Sequence, residues 1–312
     1  MKTAVIGAGA MGSIYAALLA DAGHEVWAVD TWRDHVEAIR KNGLHVDGAS
    51  GDRVVSVHAT CDPTEVGTAE LVIIATKAMH VQAAAASAKP MLAPDTMVLA
   101  IQNGLGSVER IARVLNMDNV ITGVAGGFGA SVVKPGHVHH NGMQLIRFGE
   151  SHGPITGRVE RLTELWRQAG FNVKAFDDID QLVWEKLICN VCYSGTCGVL
   201  EMTVGQVMAN DHAWRIATGC TVEAFDVARA MQIDLDFDDP VQYVRDFGAQ
   251  MPNARPSLSQ DLLGGRKTEI DVINGAIPPL ARKLNLAVSF NQVITALVKA
   301  KEPAADDAAS RV

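Results

Sequence analysis

Residues 3–12 read Thr-Ala-Val-Ile-Gly-Ala-Gly-Ala-Met-Gly, a short apolar run followed by the spacing Gly-x-Gly-x-x-Gly. The glycines are Gly7, Gly9 and Gly12, and an apolar-periodic helix follows them. The first glycine permits a tight turn, the second lets the backbone approach a pyrophosphate, and the third lets the helix pack against the strand. The pattern predicts a strand, a turn and a helix whose N-terminus faces phosphate groups.

The residues that follow complete a β-α-β unit. The predicted helix ends at Gly23, a second strand covers Glu25–Val29, and Asp30 stands at its end. An acid there hydrogen-bonds the adenosine ribose of a bound dinucleotide. We therefore expect the cofactor to contact Gly7, Ala8, Gly9, Ala10, Met11, Gly12 and Asp30. The alternative is a glycine-rich strand-to-helix turn in another kind of α/β protein.

Length, composition and charge exclude several classes of protein. With 312 residues, 48% hydrophobic and 20% charged, the chain is large enough for two domains with packed cores. Its net charge of −8 argues against nonspecific nucleic-acid binding, which needs a basic surface. No apolar run reaches the roughly 20 residues of a membrane span, and the N-terminus does not resemble a signal peptide. Five cysteines, an odd number, indicate reduced thiols, so we expect a cytoplasmic protein.

The first half alternates strand and helix patterns, which is typical of a mostly parallel sheet with helices on both faces. The predicted strands are Thr3–Ile6, Glu25–Val29, Leu71–Ala75 and Met97–Ile101, and the intervening helices are Asp34–Lys41, Val81–Leu92 and Ser107–Leu115. Short β segments punctuated by glycine are expected over 120–150, followed by a helix over Ile155–Ala169 and a strand over Asn172–Phe176.

Only helical patterns remain after residue 180. They cover Gln181–Cys192, Trp214–Ala230, Val241–Ala249, the Leu262–Leu284 region and Phe290–Lys301. We predict an α/β, Rossmann-type doubly wound dinucleotide domain over 1–177, an all-α substrate and catalytic domain over 178–302, and a frayed tail over 303–312.

Polar residues follow two predicted strands, where ligands of doubly wound sheets bind. Lys77 could contact phosphate, ribose or substrate, and Asn103 could contact a carboxamide or a keto acid. The alternatives are a solvated charge for Lys77 and a simple Asn-Gly turn for Asn103.

The helical half carries polar residues in an apolar frame. Lys186 and Asn190 are four residues apart and share one helix face, and we expect them to point into the cleft between the predicted domains. The alternative is a lysine that extends to solvent. Ser257 is a candidate ligand whose alternative is a capping box with Gln260. Glu269 is a candidate whose alternative is a surface ion pair with Arg266 or Lys267.

Taken together, these motifs resemble the ketopantoate reductase family in order and spacing over nearly the whole chain. They are Gly7-x-Gly9-x-x-Gly12, Thr76-Lys77, Gln102-Asn103-Gly104, Trp184-x-Lys186-Leu187-x-x-Asn190, Ser257-x-x-Gln260-Asp261, and Thr268-Glu269-Ile270-Asp271 with Asn274-Gly275.

The resemblance implies reduction of a 2-oxo acid by NADPH or NADH. By analogy Lys186 is the general acid and Glu269 positions it and the forming hydroxyl. Asn103, Asn190 and Ser257 would hold the substrate, and Lys77 would lie beside the nicotinamide end of the cofactor, which Asn103 also approaches.

The chain departs from the family pattern at two places. Ser194 stands where the family often has a second asparagine, and its hydroxyl could still bind substrate. Asp30 favours NAD, although the family more often uses NADP, and Arg33 could offset the repulsion of a 2′-phosphate. The Asp30-Thr31-Trp32 pattern is similar to NADH-linked D-2-hydroxyacid dehydrogenases of the superfamily.

Two further clusters have simple interpretations. His137 and His139 share a strand face, but no third ligand follows at fixed spacing beyond His140, so we expect no metal. Cys189, Cys192 and Cys197 lie on an apolar helix and are expected to be buried thiols.

The sequence thus predicts an NAD(P)H-dependent oxidoreductase acting on a small 2-oxo acid, foremost the reduction of 2-dehydropantoate to pantoate. One alternative is an NAD-dependent D-2-hydroxyacid dehydrogenase for branched-chain or aromatic 2-oxo acids. Another is a non-catalytic dinucleotide sensor, which would need neither Lys186 nor Glu269. Neither nucleic acid nor membrane is an expected partner, and the choice between monomer and homodimer stays open.

Overall fold

Apolar runs in the N-terminal part of the chain form two sheets in the computed structural model, which describes residues 1–127, 129–142, 144–151 and 153–303. The strands are β1 (Lys2–Ile6), β2 (Glu25–Val29), β3 (Leu44–Gly48), β4 (Arg53–Val55), β5 (His58–Thr60), β6 (Leu71–Ile74), β7 (Met97–Ala100), β8 (Val120–Gly126), β9 (Gly129–Lys134), β10 (His137–Gly142), β11 (Leu145–Glu150) and β12 (Val173–Ala175).

The larger sheet has eight strands in the order β12-β11-β8-β7-β6-β1-β2-β5. Neighbouring strands are parallel except for β8 and β11. From β1 the chain adds strands first on one side and then on the other, so the order reverses between β1 and β6. This is the predicted doubly wound Rossmann-type topology, and ligands bind at such a reversal.

Helices cover both faces of this sheet because its central strands are apolar on both sides. They are α1 (Ala10–Asp21), α2 (Arg33–Asn42), α3 (Val81–Ala88), α4 (Ser107–Ala112) and α5 (Gly157–Gln168). Leu71 and Ile73 belong to the core beneath α1 and α5, whereas Val72 and Ile74 belong to the opposite core beneath α3. Each such side chain stabilises the fold by about 1.5–3 kcal/mol through burial.

The smaller sheet has the order β4-β3-β10-β9 and packs one face on α1. Leu44, Val46 and Val138 are buried on that face. The sequence did not predict β3, β4 or β5, because these strands are short and carry polar residues between glycine turns. The hairpin of β9 and β10 agrees with the β segments expected over 120–150.

The chain beyond residue 178 is helical, as predicted. Its helices are α6 (Ile179–Leu200), α7 (Val204–Ala209), α8 (Asp211–Ala230), α9 (Pro240–Ala249), α10 (Ser257–Leu263), α11 (Ile277–Lys283) and α12 (Ser289–Lys301). Helix α6 extends beyond its predicted end through Gly195, where a Cβ atom would lie 2.2 Å from Ile294 Cγ2 of α12. The glycine therefore permits close packing of the two helices.

One prediction for this half is wrong in detail. The region 262–284 is not continuously helical, since α10 ends at Leu263 and 3-10 turns at Ile270–Val272 and Asn274–Ala276 precede α11. Gly265 adopts a φ of +61°, which breaks the helix. Asn274 then anchors the irregular segment, because its amide donates to the Val191 carbonyl at 2.9 Å.

Contacts divide the chain into two units. The first comprises Met1–Gln102 and Gly106–Ile179, and the second comprises Asn103–Leu105 and the chain from Asp180 onward. Of the predicted tail over 303–312, all but Pro303 lies outside the described residues. None of the helices in the described ranges combines the length and the apolar character needed to cross a membrane.

Candidate active site

Two glycines of the loop after β1 are needed for its close packing, and a third leaves its surface accessible. Gly7 has a φ of +93°, and a Cβ atom on it would lie 2.7 Å from the Thr76 amide nitrogen. A Cβ atom on Gly12 would lie 2.0 Å from the Gly7 carbonyl oxygen. Around Gly9, apart from its neighbours along the chain, no atom of the described residues lies within 4 Å of the equivalent position. Gly7 and Gly12 are therefore required by internal packing, whereas Gly9 leaves an open surface.

That open surface lies at the N-terminus of α1. Gly9 is the N-cap and supplies no side-chain cap, and the first turn contains no acidic residue. The first-turn N–H groups of a helix lack intrahelical partners and favour anions. The predicted cofactor loop, residues 7–12, lies at this terminus, where Ala8 is buried and Ala10 and Met11 are half-buried. The donor set fits a dinucleotide pyrophosphate.

Two buried polar atoms at neighbouring strand ends support the same fit. Thr76 follows β6 and Gln102 follows β7. Thr76 Oγ1 and Gln102 Oε1 have no hydrogen-bond partner within the described part of the chain. Because unpaired buried polar atoms are costly, these groups indicate a polar ligand at this edge of the sheet. Lys77, half-buried, follows Thr76 and precedes a 3-10 turn.

The end of β2 carries the residues predicted to contact the adenosine ribose. Asp30 Oδ1 accepts a hydrogen bond from the Trp32 N–H at 2.9 Å, which fixes the carboxylate beside the strand end. Arg33 begins α2 and is exposed, and its guanidinium has no partner among the residues described. Arg33 also lines a cavity of about 300 Å³ together with Thr60, the last residue of the adjacent β5, and Cys61, which follows it.

A hydrogen-bonded support for the glycine loop was not predicted. The Gly136 N–H donates to His35 Nδ1 at 3.1 Å, so the ring nitrogen that bears hydrogen in the neutral histidine is Nε2. Nε2 lies 3.2 Å from Ser13 Oγ, and Ser13 Oγ donates to the Ala8 carbonyl at 2.7 Å. Burial lowers the pKa of His35, which favours this neutral form. No local sequence motif predicts this network, because Gly136 and His35 are 101 residues apart in the sequence.

Lys186 lies on α6, where the nearby residues Trp184 and Leu187 are buried, and is itself half-buried. Loss of solvation lowers the pKa of Lys186 to about 8, and the negative charge of Glu269 opposes that shift. A lysine with such a pKa is charged at neutral pH yet releases its proton more readily than an exposed lysine. The charge of one predicted catalytic residue, Glu269, therefore acts on the protonation of the other, Lys186.

Glu269 precedes the 3-10 turn Ile270–Val272 and does not lie on a long helix. The preceding Thr268 is buried, and its hydroxyl donates to Glu302 at 2.6 Å. This anchor fixes the segment that presents Glu269. The alternative pairing with Arg266 is wrong, because Arg266 Nε instead contacts Asp261 Oδ1 at 2.9 Å.

Asn103 belongs to the same unit as Lys186 and Glu269. The Leu105 N–H donates to the Val272 carbonyl at 2.9 Å, which ties this loop to the turn that follows Glu269. Gly104 has a φ of +77°, and a Cβ atom there would lie 2.2 Å from the same carbonyl oxygen. The Asn103 side-chain amide is half-buried and has no internal partner among the described residues.

Asn190 and Ser194 follow Lys186 at successive turns of α6, so the three side chains form one stripe along the helix. The Asn190 amide is half-buried and makes no side-chain hydrogen bond within the described ranges, and Ser194 is buried. Two amides and a hydroxyl near an ammonium can hold the oxygens of a small oxo acid.

Ser257 is the first residue of α10 and is exposed. The capping-box alternative for Ser257 is wrong, because Pro256 occupies the N-cap and no side chain in the described part of the chain caps this helix. The Gln260 amide donates instead to the Arg255 carbonyl at 2.9 Å. A capping role therefore does not explain Ser257.

The four cysteines of the second unit are buried and unbridged, as expected for small apolar side chains. Burial raises the pKa of Cys192 to about 12, so it is held as a thiol.

A doubly wound sheet with a dinucleotide loop, joined to a helical unit that carries a half-buried lysine beside a carboxylate, defines a nicotinamide-dependent oxidoreductase. Residues 3–153 match the family described as ketopantoate reductase PanE/ApbA, and residues 178–302 match its C-terminal family. The chain belongs to the ketopantoate reductase family, and it is an NAD(P)-dependent oxidoreductase.

Individual relatives cover the same length. The 2-dehydropantoate 2-reductase of Pyrococcus horikoshii is 32% identical, over 97% of this chain and 98% of the relative. A PanE/ApbA family ketopantoate reductase from Ralstonia eutropha superposes with a TM-score of 0.89 at 33% identity, covering 96% of this chain and 98% of that one. A D-mandelate dehydrogenase solved with NADH and anilino(oxo)acetate has a TM-score of 0.89 at 27% identity, with the same coverage.

Proposed function

We propose that this chain reduces 2-dehydropantoate to pantoate with a nicotinamide cofactor. The observation that carries the proposal is the Lys186–Glu269 pair, whose balance of desolvation and charge leaves the pKa of Lys186 at about 8. The names of full-length relatives supply the substrate. A sensor that only binds a dinucleotide would need neither residue.

The chemistry requires one hydride and one proton. The cofactor, held by the glycine loop when bound, supplies the hydride to C2 of the oxo acid. The Lys186 ammonium donates its proton to the C2 oxygen, which becomes the hydroxyl of the product. Its positive charge also stabilises the alkoxide character that develops on that oxygen.

The neighbouring residues position the reacting groups. Glu269 keeps Lys186 protonated and accepts a hydrogen bond from the forming hydroxyl. The amides of Asn103 and Asn190 hold substrate oxygens, and the hydroxyls of Ser194 and Ser257 contribute further hydrogen bonds. Three observations support these roles: Asn103 belongs to the same unit as Lys186 and Glu269, and Asn190 and Ser194 lie in line with Lys186 along α6. In addition, the side-chain amides of Asn103 and Asn190 have no partner among the described residues.

For the cofactor, we propose that NADH serves at least as well as NADPH. Asp30 stands at the end of β2, where its carboxylate would accept hydrogen bonds from ribose hydroxyls and repel a 2′-phosphate. Arg33, exposed nearby, would offset part of that repulsion. Lys77 would lie toward the nicotinamide end.

A second candidate is an NAD-dependent D-2-hydroxyacid dehydrogenase. Ser194 in place of the family's second asparagine favours it, because a shorter side chain leaves room for a bulkier substrate. The likeness to a D-mandelate dehydrogenase points the same way.

The domain assignment and the cellular setting are part of the proposal. We assign dinucleotide binding to residues 1–177 and substrate binding to 178–302, with Asn103 contributing to substrate binding from the loop that belongs to the second unit. The unbridged cysteines support a cytoplasmic location. Size-exclusion chromatography with light scattering will distinguish a monomer from a homodimer.

The test is a steady-state screen of 2-dehydropantoate, 2-oxoisovalerate and phenylglyoxylate with NADH and with NADPH. We expect the highest kcat/KM of the three oxo acids with 2-dehydropantoate. Preference for phenylglyoxylate would establish the second candidate. Absence of turnover with all three, in a protein that still binds NADH, would indicate a sensor.

A further inference from the structure

The outer face of the smaller sheet gathers ionisable side chains from two strands. Strands β3 and β10 are parallel, with His137 opposite His45 and His139 opposite Asp47. Because side chains alternate along a strand, these four residues project from the same face. We refer to His45, Asp47, His137 and His139 as the His–Asp patch. The intervening Val46 is buried on the opposite face.

Within the patch, three side-chain atoms that could bind a metal ion lie close to one another. His137 Nε2 lies 2.8 Å from Asp47 Oδ2, and the His45 and His137 rings stack with centroids 3.9 Å apart. One ligand atom each from His45, Asp47 and His137 lies within 4.8 Å of the other two. Asp52, just before β4, lies outside this group and contacts His45 Nε2 through its Oδ1 atom at 2.8 Å.

This donor set matches a zinc site. Zinc bonds imidazole nitrogen and carboxylate oxygen at about 2.0–2.2 Å in a tetrahedron, which places neighbouring ligand atoms roughly 3.3–3.6 Å apart. His137 Nε2 and Asp47 Oδ2 lie 2.8 Å apart and all three ligand atoms lie within 4.8 Å of one another, so side-chain rotation would be needed to reach tetrahedral spacing around an ion. Imidazole ligands favour zinc and related transition metals over magnesium or calcium.

The remaining histidine occupies a supporting position. His139 Nδ1 contacts Asp47 Oδ1, the carboxylate oxygen that does not face His137. Hydrogen bonds to the second oxygen of a metal-ligating carboxylate orient it toward the metal. The histidine spacing in the sequence offered no third ligand. Asp47 supplies it from a strand 90 residues earlier.

We propose that the His–Asp patch binds one divalent transition-metal ion, zinc in particular, through His45, Asp47 and His137, with the fourth position of the tetrahedron open to water. The ion would link β3 to β10 in the sheet that packs on α1. Its role is structural and separate from the reduction proposed above.

The experiment uses the full-length chain, stripped with a chelator and exchanged into metal-free buffer. Isothermal titration with zinc chloride, with metal analysis after equilibrium dialysis, should give one equivalent of bound zinc. Replacement with cobalt should give the intense visible absorption of tetrahedral coordination. His45→Ala and His137→Ala should each weaken zinc binding by more than about tenfold, and His139→Ala by about tenfold.

A matched control is His58→Ala, which removes a strand histidine stacked on Trp27, outside the patch, and should leave zinc binding unchanged. Each variant is compared with its own zinc-free Tm, and the gain in Tm on adding zinc should be largest in wild type and His58→Ala, smaller in His139→Ala, and smallest in His45→Ala and His137→Ala. No saturable one-equivalent binding, or equal binding in the His45→Ala/His137→Ala double variant, would overturn the proposal. The patch would then be a set of histidine–carboxylate hydrogen bonds.

Discussion

Glu269→Gln should change the pH dependence of catalysis more than its maximum rate. The substitution keeps the size of the side chain and removes the negative charge that raises the pKa of Lys186. Desolvation then acts with less opposition, so the pKa of Lys186 falls below its wild-type value of about 8. Since the protonated lysine is the proton donor, the alkaline limb of kcat/KM should move to lower pH.

The size of the effect follows from the titration curve. An opposite charge at close range shifts a pKa by about 1–3 units, and we take about one unit for a half-buried pair. At pH 8 the protonated fraction of Lys186 would fall from about one half to about one tenth, and kcat/KM would fall about fivefold. At pH 6 more than about nine-tenths of the lysine stays protonated, so the loss there is small. Above pH 9 the loss approaches about tenfold.

The assay is kcat/KM for 2-dehydropantoate with NADH across this pH range, for wild type and Glu269→Gln. Asp271→Asn is the matched control, because Asp271 lies nearby, is exposed and pairs with Lys299 at 2.5 Å. Its profile should follow that of wild type. A loss in Glu269→Gln that is equal at all pH values would refute the electrostatic argument and leave a purely positioning role. Unchanged kinetics would make Glu269 a surface carboxylate.

Three further substitutions test the remaining roles. Lys186→Ala should lower kcat by about two to four orders of magnitude while NADH binding, followed by fluorescence titration, stays near wild type; an active variant would remove lysine from the mechanism. Ser257→Ala should raise KM for the oxo acid without changing Tm, because Pro256 is the N-cap of α10; a lower Tm with unchanged KM would restore the capping interpretation. Asp30→Ala should shift the ratio of kcat/KM values toward NADPH, because it removes the repulsion and leaves Arg33; an unmoved ratio would show that Asp30 does not contact the ribose.

The parts of the fold predicted from sequence are those with a strong local period or a special backbone requirement. The glycine loop was recognisable because Gly7 and Gly12 stand where a Cβ atom would clash. Strands β6 and β7 were recognisable because all their residues are buried. Strands β3 and β4 were missed because His45 and Asp47 alternate with few apolar residues between glycine turns. The pairing of β3 with β10 depends on contacts distant in sequence.

Some residues of the candidate site were likewise identified from local sequence spacing, whereas the position of others depends on contacts distant in sequence. Lys186 and Asn190 were identified by their spacing on one helix. The segment after α10 was taken for a helix, because its apolar residues mimic helical periodicity although Gly265 interrupts it. The actual position of Glu269 beside a 3-10 turn depends on the anchor between Thr268 and Glu302, which joins residues 34 positions apart.

The sequence by itself determined the change from alternating strands and helices to helices alone, the dinucleotide loop and the residue types available for proton transfer, because spacing along a helix or strand expresses these locally. Only the tertiary structure decided how those residues act. It brought the charge of Glu269 to the desolvated Lys186, placed Asn103 in the helical unit, and paired Asp47 with His137 across two strands. Each depends on segments remote in the chain, whose meeting is set by packing and whose electrostatic consequences depend on burial.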